Sequence, residues 1–182
     1  EGAYRAEEQS IDPDPIVRGI NTFVFPHTEY RPRTWSVAAS LKFAPRSRLT
    51  ATLSQPERAP DVQELYSLGP HLATRTYNIG NRNLVVESMR RADLGFTHEW
   101  AEGVFRFNVF RYEADDYIYL RSRGTFYDLD RRRIIASCVR PERCLPVLQY
   151  AQQDAIFNGY EAEWLMRFGD SPLGAMEVTL FT

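Results

Sequence analysis

Ile156-Phe157-Asn158-Gly159-Tyr160-Glu161-Ala162-Glu163-Trp164-Leu165-Met166-Arg167-Phe168 is the stretch on which the fold turns. Ile156, Tyr160, Ala162, Trp164, Met166 and Phe168 fall on one face of an extended chain, with Gly159, Glu161, Glu163 and Arg167 on the other. Side chains of a strand alternate with a period of two, so this is a strand with one apolar face and one charged face. Gly169-Asp170-Ser171-Pro172 has the chemistry of a turn. Beyond it Met176, Val178 and Leu180 alternate with Glu177 and Thr179, which predicts the returning strand of a hairpin.

The same pattern recurs towards the N-terminus. Trp35, Val37, Ala39, Leu41 and Phe43 alternate with Ser36, Ala38, Ser40 and Lys42, then turn through 44–48 into Leu49, Ala51 and Leu53. Ala92, Leu94, Phe96 and Trp100 share a face with His98, opposite Glu87, Arg91, Asp93, Thr97 and Glu99. Ala101-Glu102-Gly103 reverses the chain into Val104 to Leu120, where alternation blurs between Phe110 and Asp116 and predicts a bulge or a rise out of a bilayer. Residues 1–8 read as the end of an earlier strand, giving six strands plus a leading fragment.

A soluble sandwich also alternates, but three features favour a wall facing lipid. Full charges on one strand face suit a wet lumen. Trp35, Phe43, Trp100, Tyr117, Tyr119 and Phe168 fall towards strand ends, as an interfacial aromatic girdle does. Connections near 45–48, 101–103 and 169–173 are short, whereas those near 9–33, 58–83 and 121–149 are long. The two kinds alternate strictly, as periplasmic turns and extracellular loops do in membrane barrels. The expected fold is therefore all-β, an antiparallel meander forming part of a transmembrane β-barrel. Residues 1–182 form one partial barrel domain, because six strands are too few to close a barrel in lipid.

Composition agrees. Aromatic residues make up 13% of the 182, with hydrophobic content of 43% and mean hydropathy −0.43. Large rings are thus dispersed among polar residues, and no run of about 18 apolar residues predicts a spanning helix. A net charge of −2 gives no global field for nucleic acid. Arg131-Arg132-Arg133 favours a solvated or headgroup-facing loop over a specific anion site. Cys138 and Cys144, in a polar loop, point to a loop-closing disulfide before two free thiols or a metal pair. The acidic pairs Asp115-Asp116 and Glu161/Glu163 read as strand-end and lumen polarity, and no nucleophile–base grouping suggests an enzyme.

Ser54-Gln55-Pro56-Glu57-Arg58-Ala59-Pro60-Asp61-Val62-Gln63-Glu64-Leu65-Tyr66 has physical content of its own. Pro56 and Pro60 remove ladder donors, so pairing ends there. Asp61 can cap a helical turn over Val62 to Tyr66. Further on, Gly80-Asn81 tolerates the positive φ of a tight reversal, and Gly159 leaves room for ring packing. This stretch, with Gly69-Pro70-His71-Leu72-Ala73-Thr74, Tyr77-Asn78-Ile79-Gly80-Asn81, Asp116-Tyr117-Ile118-Tyr119 and Gln153 to Glu161, resembles TonB-dependent outer-membrane receptors.

The resemblance implies a 22-stranded barrel with an N-terminal plug, in the outer membrane of a Gram-negative bacterium. Such a receptor imports a scarce nutrient with energy relayed by TonB. The plug, the TonB box and a C-terminal aromatic strand are lacking here, so the partners implied are outer-membrane lipid, TonB through segments outside this chain, and a cargo. The 64–74 segment is closest to the subgroup that includes zinc-uptake receptors, where a histidine of this loop joins an extracellular zinc site. That implies His71 as a metal ligand, with Glu64 a neighbouring candidate, zinc being cargo and no intrinsic cofactor required. Zinc needs three or four ligands, so others would come from elsewhere. Heme, siderophore or cobalamin cargo, and a soluble β-sheet binding module, stand as the alternatives. His27 reads as solvated and His98 as an interfacial ring beside Trp100.

Overall fold

The computed structural model describes the chain apart from residues 13–15, 19–20, 24–26 and 172–173, and apart from the side chains within 13–26 and 168–176. The first strands are β1 (Gly2–Ala6), β2 (Gln9–Ile11), β3 (Ile16–Arg18), β4 (Asn21–Phe23) and β5 (Thr28–Tyr30). Then come β6 (Arg33–Ala44), β7 (Ser47–Gln55), β8 (Glu57–Arg58), helix α1 (Val62–Tyr66), β9 (Leu68–His71) and β10 (Thr76–Ile79). The long elements β11 (Glu87–Trp100), β12 (Gly103–Asp128), β13 (Arg133–Ile135, short), β14 (Cys144–Ser171) and β15 (Gly174–Phe181) complete the chain.

One twisted sheet carries the order β1-β6-β7-β11-β12-β14, with β15 on the lower part of the outer edge of β14. All these pairings are antiparallel. The sheet is open, running from β1 at one edge to β15 at the other.

Cross-strand register shows why alternation was so clean. Ala39, Ala51, Leu94, Val109 and Tyr160 lie directly opposite one another in successive strands, and Leu41, Leu49, Phe96, Phe107 and Ala162 form the next row. Leu41 is 61% exposed and Tyr160 64%, although both sit mid-strand on the apolar face. A soluble sheet does not leave such a face bare, and a lipid-facing wall requires it. On the other face Lys42, Arg48, Thr97, Arg106 and Glu163 make one polar row, with Arg106 Nη1 donating to Glu163 Oε2 at 2.6 Å.

Both ends of the apolar band are marked. At the short-turn end Phe43, Phe96, His98, Trp100 and Trp164 follow one another with ring centroids 6.1–6.5 Å apart. His98 takes its place in that series, and its Nδ1 lies 2.8 Å from Ser47 Oγ. At the opposite end Arg90 meets Glu113 at 3.7 Å and Asp115 at 3.4 Å, and Arg111 meets Glu113 at 2.9 Å. Between Ala92 and Trp100 the band runs about 26 Å along the strand at 3.3 Å per residue, close to the height of a barrel's apolar belt.

The long connections differ from the loops expected. Within 121–149 the strands do not stop: β12 pairs with β14 up to Asp128 and Cys144, leaving 129–143 as the connection. Ladder hydrogen bonds are made by backbone, so pairing continues where side chains have lost their apolar pattern. The bulge expected near Phe110–Asp116 is a register shift between Ala114 and Tyr117, with Asp116 at φ 58°. A second shift follows between Ser122 and Phe126. The 9–33 connection contains the β2–β5 and β3–β4 pairs. The turn expected at 169–172 partly lies outside the described residues; β14 runs through Ser171, which pairs with Gly174.

Candidate functional site

The long-connection end of the sheet holds the core. Leu65 (2% exposed), Leu84, Ile11, Tyr30, Ala59 and Ile118 pack together, with Tyr66, Val86 and Tyr150 against them. Local sequence builds this cluster. Pairing with β11 ends at Arg58, between Pro56 and Pro60, and Pro60 is fully buried. Asp61 caps α1, accepting from the backbone N–H of Gln63 at 2.7 Å and Glu64 at 2.9 Å. Glu64 returns the favour by accepting from the Asp61 N–H at 2.8 Å, which completes a capping box. The helix thereby presents Leu65 inward, a burial worth about 1.5–3 kcal/mol.

Arg58 joins that helix to the wall. Its Nη1 donates to Glu64 at 2.8 Å and its Nη2 to Glu87 at 3.2 Å. Glu87 also accepts from the Ile118 N–H at 2.8 Å, where β12 resumes after its bulge. Burial works against the Arg58 charge, but the hydrogen bond and field of Glu64, then those of Glu87, hold its pKa above the ordinary value. A second clamp is Gln152, whose amide donates to the carbonyls of Val85 and Asp116 and accepts from the Val85 N–H, each at 2.9 Å. Tyr30 donates to the Leu84 carbonyl at 3.1 Å, and burial, then Tyr66, raises its pKa.

Gly80 serves a purpose other than the one expected. It does not take a positive φ; a β-carbon there would come within 2.5 Å of the Leu65 carbonyl group. Its N–H donates to Ser67 at 2.6 Å and that of Asn81 to Glu64 at 2.8 Å, so the chain lies directly on the end of α1. Gly159 does make room for a ring, since a β-carbon would meet Phe110 at 2.8 Å.

From this base the β9–β10 hairpin rises with His71 opposite Thr76 at its tip. His71 is exposed, and its Nδ1 lies 2.9 Å from Thr74 Oγ1. Thr74 continues to Thr76 at 2.8 Å, and Thr76 donates to the buried Asn78 at 2.8 Å. With Nδ1 engaged, Nε2 is the second ring nitrogen of this exposed imidazole. Glu64 is engaged instead with Arg58 and the helix start, so the two candidate ligands have different partners. Among the described residues no three His, Cys, Asp or Glu side chains group as a metal site. His27 pairs with Glu29 at 3.3 Å.

The hairpin β10 docks in parallel on the upper edge of β14, Tyr77 opposite Val147, and Tyr77 stacks on Tyr127 of β12 at 4.2 Å. This places the His71–Arg75 turn beside the summit of the β12–β14 hairpin. There Cys138 and Cys144 are bonded, with their Cα atoms 6.3 Å apart. Arg143 pairs with Asp130 and Arg131 with Asp128, and the hydrogen bond from Arg143, with the further fields of Arg140 and Arg131, holds the Asp130 carboxyl below its usual range. The arginine and glutamine clamps escaped the sequence reading, because partners 29 and 67 positions apart leave no periodic signal.

Residues 4–180 match the family described as TonB dependent receptor-like, beta-barrel. The chain belongs to that family. Its members are outer-membrane transport receptors of Gram-negative bacteria, not enzymes. Among solved structures, the chain is similar to a copper transporter, OprC, with TM-score 0.64 and 16% identity over 91% of this chain and 23% of that one. It is similar also to the siderophore receptor PirA from Pseudomonas aeruginosa, with TM-score 0.51 and 17% identity over 100% of this chain and 34% of that one. A third is the hemophore receptor HasR of Serratia marcescens, in complex with its hemophore HasA and heme, with TM-score 0.53 and 15% identity over 98% and 28%. At such identities the likeness is one of fold. The chain spans about a quarter to a third of the length of these proteins.

Proposed function

We propose that this chain is a sector of the barrel wall, with its extracellular rim, of a TonB-dependent receptor that imports a scarce nutrient. In the whole receptor the wall is the 22-stranded closed barrel implied by family resemblance. The plug that contacts TonB lies outside these residues. The cargo is a metal such as zinc, or a metal complex, and the rim meets it first. The observation that carries the reading is the asymmetry of the two strand ends. One end closes in short turns under an aromatic row. The other continues into a strand-built rim with its own buried core, from which His71 projects.

His71 suits metal contact because Thr74 occupies one ring nitrogen, as an outer partner of a metal-ligating imidazole does. Further ligands would have to come from other loops or the plug. Glu64 is the weaker candidate, since its carboxylate already holds Arg58 and the start of α1. The test is calorimetry of zinc on the full receptor in detergent, with and without His71→Ala. Saturable binding that weakens tenfold or more in the variant supports a metal receptor with His71 as ligand. Absence of zinc binding, or indifference to the substitution, turns the cargo towards heme, siderophores or cobalamin and overturns the role of His71.

A further inference from the structure

We infer that the upper edge of β12 is a strand-addition site for an extended, acidic polypeptide segment outside the cell. This rests on the receptor reading above, which places that end of the sheet on the extracellular side. On one side β12 pairs with β14 through Ser122 and again from Phe126 to Asp128. On the other side its neighbours are interrupted. β11 accompanies it only up to Ser88 opposite Asp115, and β13 takes up the same lane at Ile135 opposite Phe126. Between them residues 116–125 of β12 have no strand partner on that side among the described residues.

Ile118 marks which backbone groups face this gap. Its N–H donates to the Glu87 carboxylate, at the end of β11, at 2.8 Å. Backbone groups alternate between the two sides of a strand, so those of Leu120 and Ser122 point the same way as those of Ile118. At the top Gly124, with φ 66°, gives its N–H to Ser122 Oγ at 3.2 Å. The N–H and C=O groups of Leu120 and Ser122 thus stand open, in a slot framed by the register shifts at 114–117 and 122–126. The slot also clears the bilayer. Leu120 pairs with Tyr150, eight residues beyond Asn158 at the edge of the apolar band. That is about 26 Å of strand, or roughly 19 Å of elevation at the tilt of barrel strands, against about 5–8 Å of headgroup.

An unpaired edge in water is a template for another chain, and charge decides which chain. Arg121 and Arg123 flank Ser122 along this edge, both exposed and without a salt bridge among the described residues. A second copy of this chain is disfavoured, because antiparallel self-pairing sets arginine against arginine. A strand carrying Asp or Glu opposite Arg121 and Arg123 forms favourable cross-strand pairs instead. The arginines that blunt the edge against self-pairing therefore admit an acidic strand. Its backbone supplies the hydrogen bonds and its alternate side chains the selectivity. β11 and β13 are both antiparallel to β12, and a strand filling the lane between them runs the same way.

The probe is the N-terminally labelled, amidated peptide Asp-Thr-Glu-Val-Tyr. In antiparallel register it sets Asp opposite Arg123, Glu opposite Arg121, and Thr and Val opposite Ser122 and Leu120. Fluorescence anisotropy on the full receptor in detergent, at low ionic strength, should show saturable binding. Binding should weaken about tenfold or more for Arg121→Glu/Arg123→Glu, and equally for Lys-Thr-Lys-Val-Tyr on the unaltered receptor. Methylating the Thr and Val nitrogens of the acidic peptide removes the donors that face the slot and should also cost about tenfold. Hydrogen exchange at Leu120 and Ser122 should slow when the acidic peptide binds, with Ile118 unchanged. No saturable binding, equal binding of the methylated peptide, or protection that misses Leu120 and Ser122 overturns strand addition. Equal binding of the lysine peptide overturns the acidic partner. Outer-membrane recovery and folded-band mobility on unheated gels test the receptor reading separately.

Discussion

The wall and the rim of this molecule obey different rules. In the wall, each side chain's role follows from its parity: Leu94 faces out because Asp93 and Gly95 face in. In the rim, roles follow from particular partners: Arg58 matters because Glu64 and Glu87 happen to flank it. In the proposed receptor the wall takes its environment from lipid on one side, whereas the rim manufactures its own through a small buried cluster. Damage should therefore spread through the wall and stay confined in the rim.

The harshest way to break this contrast is a charge on the lipid face. Leu94→Arg should cost about 2–4 kcal/mol in denaturant unfolding of the full receptor in bilayers, and Thr50→Arg, in a row of the polar face, well under half of that. Equal costs would mean the sheet does not have a lipid side. Arg58→Ala comes next, leaving Glu64 and Glu87 without their cation. Because Arg58 is half-exposed, about 2 kcal/mol is expected, below the figure for a fully buried pair. Hydrogen exchange should show it as faster opening of residues 57–66 and 118, with the amides of β11 and β12 below them unchanged.

Replacing Cys138 and Cys144 by serine removes a short loop closure worth about 2 kcal/mol, confined to residues 128–144. Asp61→Ala removes a cap and should loosen α1 by about 1 kcal/mol, read by exchange at Gln63 and Glu64. The smallest effect is acid loosening at Asp130. Its folded pKa is depressed, so the pairing with Arg143 contributes fully above the unfolded carboxylate value of 3.8. It is lost as pH falls through the lower folded value. Amide exchange at 129–131 should quicken there while the wall stays protected; melting of the whole sheet in the same window would erase the wall–rim distinction.

Sequence alone determined the strands of the wall, their two faces and the short turn at 101–103, because period-two alternation is a local property printed in every strand. It also showed the cap at Asp61 and the end of pairing near Pro56, which depend on neighbours a few residues away. Tertiary structure alone decided the rest. The conversion of 121–149 from loop to a tall strand pair came from backbone hydrogen bonds, to which side-chain polarity is indifferent. The duty of Gly80 came from the carbonyl of Leu65 beneath it, and that of Glu64 from a guanidinium it shares with Glu87. The meeting of the His71 turn with the summit of the β12–β14 hairpin came from β10 docking on β14, seventy residues on. Such contacts carry no periodicity, so only the folded chain displays them.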